Sequence, residues 1–211
     1  MTARARRGCV AIAAALAVTA LAGGGDPRVA RAQDEAALRG PEAFASIADR
    51  TQRSIALFVE AGKVFQHPRC RNCHAGDDRA RQRDEGLPHQ PAVRRGADGF
   101  GAPGLRCPAC HQEANYDAVG MPGIAGWNLA PASMGLRGLP LSGICTQLKD
   151  PDQNGSRSID DLVTHVTNDP LVIWAWAPGK GRRPPPGTHA GFAALIRAWA
   201  ATGAECPPAG G

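Results

Sequence analysis

Aromatic residues are scarce in this chain of 211 residues: Phe, Tyr and Trp together make up 5%, and tyrosine occurs once. Glycine and proline are abundant instead, with 26 and 18 copies. A chain with few large rings and many turn-forming residues is expected to fold with many loops and a thin core of side chains. A bound apolar group is therefore a candidate to complete that core.

The chain also lacks an apolar run long enough for a membrane anchor. Its longest run, residues 9–22, has 14 residues, whereas a spanning helix needs about 20. Arg4, Arg6 and Arg7 precede this run, and small residues follow it as far as Ala32. This order is typical of a signal peptide. We predict a signal peptide over residues 1–32, a mature domain over residues 33–211 in the periplasm, and no integral membrane segment after cleavage.

The mature domain also lacks an excess of basic residues. The formal net charge is +5, but five of the 24 basic residues lie in the first 32 positions, which leaves 19 basic and 18 acidic residues in 33–211. A nucleic-acid-binding domain carries a basic face in its folded part. The near-neutral mature chain therefore argues against a nucleic-acid partner.

The motif Cys-x-x-Cys-His occurs twice, at residues 70–74 and 107–111. It is the attachment signature of c-type haem: two thiols one helical turn apart reach the two vinyl groups of a porphyrin, and the histidine that follows reaches the iron. A zinc site built from the same two cysteine pairs is the alternative, but 33 residues separate the pairs, more than the usual 15 to 20 or so. We predict two covalently attached haems, bound by six residues: Cys70, Cys73, His74, Cys107, Cys110 and His111.

With these motifs the chain resembles a dihaem c-type cytochrome, and its first half is similar to the start of a class I cytochrome c domain. The strings HPRCRNCH, LRCPACHQ, ICTQLKDP, DPLVIWAWAPG and GAECP resemble small exported bacterial cytochromes labelled "isoquinoline 1-oxidoreductase subunit". The resemblance implies a redox partnership with a dehydrogenase or a molybdenum hydroxylase. The chain has no plant-type Cys-x4-Cys-x2-Cys spacing of its own, so it would be the partner that accepts electrons.

The apolar spacing predicts a mainly α, loop-rich, cytochrome c-like domain built around two haems. Helices are expected over residues 41–65, 142–149, 158–167 and from Thr188 to about 203, with serine caps on the second and third and a long loop over residues 75–106. Trp174 and Trp176 alternate as they would in a strand, which predicts that both point to one face.

Four residues are candidates for the second axial position of the irons. Met121 follows His74 by 47 residues, a separation similar to that in class I cytochromes, so it is assigned to the first haem. His89 is its rival there, and it would imply a lower potential. Met134 and His165 are both candidates for the second haem. Together with His74 and His111, these form the predicted set of metal ligands.

Two further features concern stability and cations. Cys145 and Cys206 are the only cysteines of the mature chain outside the haem motifs, and in an oxidising compartment they are predicted to form a disulfide. Residues 150–161 are similar to a calcium-binding EF-hand loop, with Asp161 at its last position, but an Asn154-Gly155 turn followed by a serine cap is the preferred interpretation, because Arg157 and Pro151 do not suit a calcium loop.

The predicted function is one-electron transfer between redox proteins rather than stand-alone catalysis. The alternative is a haem enzyme, or a haem protein that binds small ligands, in which one iron keeps an open coordination site. The letters of a dinucleotide fingerprint at residues 99–104 are interpreted as a turn that leads into Cys107, because no predicted strand precedes them.

Overall fold

The computed structural model describes residues 37–209 as a helical domain with little strand. The predicted signal peptide and its cleavage site lie outside the described residues. Six α-helices occur in this part of the chain: α1 (Arg50–Phe65), α2 (Pro68–Arg71), α3 (Leu141–Lys149), α4 (Ile159–Asn168), α5 (Pro170–Trp174) and α6 (His189–Ala201). The predicted mainly α, loop-rich architecture is confirmed.

The single helix predicted over residues 41–65 is two elements. A 3₁₀ turn covers Pro41–Phe44, and α1 begins only after Asp49, whose carboxylate accepts the backbone N–H of Gln52 at 2.8 Å. Phe44 of the 3₁₀ turn packs into the same core as α1, so the apolar spacing continues across the break between the two elements. The sequence pattern therefore did not reveal that α1 begins after Asp49.

Helices α1 and α6 pack against each other and form the centre of the core. The ring of Phe58 lies 5.0 Å from that of Trp199, and Phe65 meets Phe192 edge-on at 5.3 Å, measured between ring centroids. All four side chains are buried. Most of the chain's few aromatic rings therefore lie at this helix crossing or on the walls of the two cavities described in the next subsection.

The capping predictions are confirmed at two helices and wrong at one. Thr188 caps α6, and Ser158 caps α4 in a reciprocal capping box with Asp161. Ser142, in contrast, lies inside α3, which begins after Pro140. Pro140 itself occupies the cap position, and no side-chain hydrogen bond caps this end of α3.

Residues 75–135 form a loop-rich lobe between α2 and α3. Its only strands among the described residues are β1 (Arg81–Gln82) and β2 (Leu87–Pro88), which pair antiparallel. At Leu136 the chain returns to the first motif, where the N–H of Leu136 donates to the carbonyl of His74 at 2.9 Å. This return places the end of the lobe beside the first Cys-x-x-Cys-His motif.

A disulfide joins Cys145 of α3 to Cys206 after α6, as predicted, with a sequence separation of 61 residues. Both cysteines belong to the core around α1 and α6. The bridge thereby closes a covalent ring that contains α4, α5 and α6.

Candidate haem sites

The first motif follows a tight helical turn that its own sequence specifies. The imidazole Nδ1 of His67 accepts the N–H of Arg69 at 3.2 Å and caps α2. The N–H of His74 then donates to the carbonyl of Cys70 at 2.9 Å, which continues the turn through the motif. Cys70, Cys73 and His74 consequently line the same cavity.

That first cavity has a volume of about 350 Å³ and a mainly apolar wall. Its size lies within the range of about 300–1,000 Å³ that is usual for small-molecule and cofactor sites. The apolar side chains of the wall come from α1, the return of the lobe and α3 to α6, and include Phe65, Leu136, Leu148, Leu162, Val166, Phe192, Ile196 and Trp199.

His74 is held in the form that a metal ligand requires. Its Nδ1 lies 2.9 Å from the backbone carbonyl oxygen of Met134, an acceptor, so Nδ1 carries the proton and Nε2 keeps its lone pair. Burial lowers the pKa of His74 to about 4, although the hydrogen bond to Met134 opposes the shift. A neutral imidazole fixed by a carbonyl is the usual outer-shell arrangement of metal-bound histidine.

The two thiols of this motif are reduced and uncharged. Neither cysteine is in a disulfide, and burial raises the pKa of Cys70 to about 12 and that of Cys73 to about 11. The Cys107 thiol is close enough to contribute to the shift of Cys73. Two free thiols on one cavity wall, followed by a histidine, are the groups that covalent attachment of a haem requires.

The second motif repeats the arrangement on a 3₁₀ turn at Cys107–Ala109. The N–H of His111 donates to the carbonyl of Cys107 at 2.9 Å, and the ring Nδ1 lies 2.7 Å from the carbonyl oxygen of Pro122. Burial lowers the pKa of His111, as it does for His74. Both motif histidines thus bind a backbone carbonyl through Nδ1 and keep Nε2 available.

The predicted turn before Cys107 is present. Gly99, Gly101 and Gly104 all have positive φ, and at Gly101 a Cβ atom would lie 2.6 Å from the carbonyl oxygen of Leu105. Glycine is required there because the backbone of the following turn passes so close. The N–H of Cys107 donates to the carbonyl of Phe100 at 2.8 Å, which fixes the start of the motif.

The second cavity has a volume of about 640 Å³ and is more polar than the first. Lys180 and Arg182 line it, and the Arg182 guanidinium donates to the carbonyl of Gly120. Arg183 forms an ion pair with Asp84 at 3.0 Å. Arg182 of this basic loop is therefore half-buried against the cavity, whereas Lys180 and Arg183 are exposed beside it.

The candidates for the second axial position divide differently from the prediction. Met134 and His165 line the first cavity, whereas Met121 and His89 line the second. The assignment of Met121 and His89 to the first motif is therefore wrong, and so is that of Met134 and His165 to the second. Separation along the chain is misleading here because the lobe folds around its own motif before it returns to His74.

One residue, Leu129, lines both cavities. Its N–H donates to the carbonyl of Gly99 at 2.9 Å. Trp127, on the wall of the second cavity, also meets Trp174 of α5 edge-on with centroids 4.7 Å apart, and Val172 of the same helix lines the first cavity. The two cavities are thus neighbours that share part of a wall.

Trp174 and Trp176 do not point to one face, because residues 170–174 form helix α5 and not a strand. The indole N–H of Trp174 donates to Asn115 Oδ1 at 2.9 Å, towards the lobe. Trp176 lines the first cavity and contacts Phe192, with ring centroids 5.6 Å apart. The proline at the start of α5 and the cap by Asp169 produce the helix where alternation predicted a strand.

Two buried donors on the wall of the first cavity have no hydrogen-bond partner among residues 37–209. They are the indole Nε1 of Trp176 and the guanidinium Nε of Arg69. A buried donor without an acceptor costs about 1–3 kcal/mol. An occupant with an apolar body and carboxylates at its edge would offer acceptors to donors of this kind, and haem with its propionates has this character. The residues present therefore fit a haem in the first cavity.

The calcium-loop interpretation of residues 150–161 does not fit the side-chain contacts. The buried Asn154 amide donates to the carbonyls of Leu148 and Arg157 and accepts the Arg157 N–H at 2.8 Å. Asp161 is committed to the cap of α4. The alternative, an Asn-Gly turn followed by a serine cap, is what the structure contains.

Between residues 37 and 209, no group of three or more His, Cys, Asp or Glu side chains is arranged to hold a bare metal ion. The two cysteine pairs of the motifs line separate cavities. The zinc alternative requires four thiolates around one ion, and the structure does not bring the two pairs together in that way.

Comparison with protein-family models, curated proteins and solved structures gives no match for this chain. Within the described part of the chain, no helix combines the length and the apolar character needed to cross a bilayer.

Proposed function

We propose that the protein is an exported dihaem c-type cytochrome that passes electrons one at a time between redox partners. The observation that carries this proposal is the repetition of one arrangement in two cavities. In each, two free cysteines and a histidine of a Cys-x-x-Cys-His motif line the wall, and the histidine Nδ1 is bound to a backbone carbonyl. Such a repeat is difficult to explain by packing alone.

Cys70, Cys73 and His74 would hold one haem, and Cys107, Cys110 and His111 the other. Each bound haem supplies an iron that changes between ferric and ferrous states. The chain itself contributes apolar walls that exclude water, carbonyls that orient the histidines, and donors such as Trp176 and Arg69 for the propionates. These are the means by which a protein tunes a haem.

The electron donor is proposed to be a dehydrogenase or a molybdenum hydroxylase, as the resemblance implies, and the acceptor another cytochrome. The basic residues Lys180 and Arg182 at the second cavity make this the side for an acidic partner to approach. Proteins from neighbouring reading frames supply the candidate donors, and stopped-flow reduction by each purified donor identifies the productive one.

The central test is the intact mass of the protein after maturation with a cytochrome c assembly system. The expected mass exceeds that of the polypeptide from residue 33 by two haem groups. The double variant C70S/C73S should lose one haem, and C107S/C110S the other. C145S/C206S is the matched control, because it also removes two cysteines but should keep both haems. A wild-type increment of one haem or none contradicts the proposal.

A further inference from the structure

Resting on the proposed function, we infer that each haem iron takes a second histidine opposite its motif histidine: His165 in the first cavity and His89 in the second. The sequence left a methionine and a histidine as rivals at each site. The contacts within the two cavities decide between them in favour of the histidines.

The second cavity gives the more direct geometry. The ring centroids of His89 and His111 lie 5.9 Å apart, with their planes inclined by 72°. Two imidazoles that bind one metal ion through Nε2 have ring centres about 6 Å apart, since each metal–nitrogen bond is about 2 Å long. The spacing of the two rings therefore matches a pair of axial ligands.

The hydrogen bonds of His89 leave the correct nitrogen available. Its Nδ1 lies 2.9 Å from the carbonyl oxygen of Pro91, just as the Nδ1 of His111 lies against Pro122. Both rings thus have Nδ1 occupied by a carbonyl, and among the described residues Nε2 has no contact of this kind. This is the outer-shell pattern of metal-bound histidine, present on both sides of one cavity.

In the first cavity His165 has the corresponding features. It lies on α4 and lines the same cavity as His74. The Nδ1 of His165 lies 3.1 Å from Asp169 Oδ2. A carboxylate on Nδ1 orients a histidine and raises its basicity as a metal ligand.

Met134 is on the wrong side of His74 to be the rival ligand. Its carbonyl oxygen binds the Nδ1 of His74, so this residue lies behind the imidazole, away from Nε2. Within one methionine residue the sulfur reaches only about 6 Å from the carbonyl oxygen. The Met134 Sδ is instead 3.8 Å from a guanidinium nitrogen of Arg157. The side chain cannot pass around a porphyrin from this position.

Met121 is held in a similar way beside His111. It directly precedes Pro122, whose carbonyl oxygen binds the Nδ1 of His111. Its own backbone exchanges two hydrogen bonds with Tyr116, of 2.8 and 3.1 Å. The two methionines therefore supply or adjoin the carbonyls that orient the motif histidines, which explains their presence in the cavities without ligation.

His89→Met and His165→Met in the matured dihaem protein test this assignment. Methionine ligation raises the potential of a haem and gives the ferric form a charge-transfer band at the red end of the spectrum. The wild-type protein should be fully low-spin and lack this band. Each variant should either gain the band and raise one of the two midpoint potentials, or convert half of the low-spin signal to high-spin. In the latter case, added imidazole should restore the low-spin signal.

Met121→Leu and Met134→Leu are the matched controls, with His189→Gln as a control for histidine replacement, because His189 Nε2 already lies 2.8 Å from the carbonyl oxygen of Val166. All three should retain the wild-type spectrum. A red band in the wild type that either methionine variant removes overturns the inference, and so does a wild type that is half high-spin or binds carbon monoxide after reduction. Absence of haem from the intact mass would be a failure of the proposed function instead.

Discussion

The imidazole of His111 stacks on the indole of Trp127, with ring centroids 4.6 Å apart and planes inclined by only 15°. The carbonyl of Pro122 fixes one edge of the same imidazole, and Trp127 covers one of its faces. An imidazole held by both contacts has little freedom to rotate.

Replacing Trp127 with leucine should therefore alter the second site alone. A stacked aromatic pair contributes about 0.5–1.5 kcal/mol beyond the area that it buries. Its loss would let the His111 ring reorient. We expect one of two midpoint potentials to shift in a spectroelectrochemical titration, while the other stays constant. Trp176→Leu is the matched control because it changes the first cavity. The result that contradicts the arrangement is a shift of the same haem by both variants.

Glu60 should make the stability of the protein sensitive to acid. Its side chain is 1% exposed and binds Arg39 and Lys63, each at 2.7 Å. Burial alone would raise the Glu60 pKa, but the hydrogen bonds from Lys63 and Arg39 outweigh it and lower the pKa below its ordinary value of 4.5. The unfolded chain therefore takes up the proton more readily, so this stabilisation is present above about pH 4.5 and is lost as the pH falls through the lower folded value.

Glu60→Gln is expected to lower the free energy of unfolding at pH 7 by about 1–3 kcal/mol, because the two cations lose a charged acceptor. The variant should also lose part of the acid dependence of the wild type in urea titrations between pH 3 and 7. Glu85→Gln is the matched control, since Glu85 is exposed. Equal effects of the two variants would show that burial of Glu60 is unimportant.

Asn154→Ala should destabilise the turn that joins α3 to α4. The change removes three hydrogen bonds of 2.7 to 2.9 Å and leaves the carbonyl of Leu148 without this donor. We expect a loss of about 2–3 kcal/mol in thermal or chemical unfolding. Gln153→Ala, at an exposed neighbour, should cost much less. If added calcium raises the melting temperature of the wild type and not of Asn154→Ala, the loop binds calcium after all.

The double variant C145S/C206S should lose about 4 kcal/mol of unfolding free energy, the value that the chain-entropy model gives for a closed loop of this length. Denatured wild-type protein with both haems attached should contain no free thiol when it is kept non-reduced. Two reactive thiols per chain would contradict the bridge. The haem content should stay at two per chain, which separates loss of the bridge from loss of the sites.

The features that sequence predicted well are those encoded by neighbouring residues. The motif turns, the caps at Ser158 and Thr188, and the glycine turn before Cys107 all depend on contacts within a few positions. The disulfide could be predicted because only one pair of cysteines remained. These interactions need no knowledge of how distant segments pack.

The pairing of Met121 and His165 with the motifs was wrong because it depends on the path of a lobe of about 60 residues. The alternation of Trp174 and Trp176 wrongly predicted a strand. A proline and the Asp169 cap specify a single helical turn there, and one turn is too short to show a helical period in the sequence. Trp127, Arg69 and the shared wall residue Leu129 carried no sequence signal, since their importance comes only from what the fold places opposite them.

The shared wall at Leu129 has a consequence for how a loaded protein would fill with electrons. Were both haems bound, the protein between the neighbouring cavities would screen charge less than water does, so an electron on one haem would raise the energy of placing a second electron on the other. The pair would then act as a two-electron reservoir with unequal steps, the first easier than the second. A donor that releases electrons in pairs would then transfer both electrons to one molecule of this protein. A one-electron acceptor would remove them one after the other.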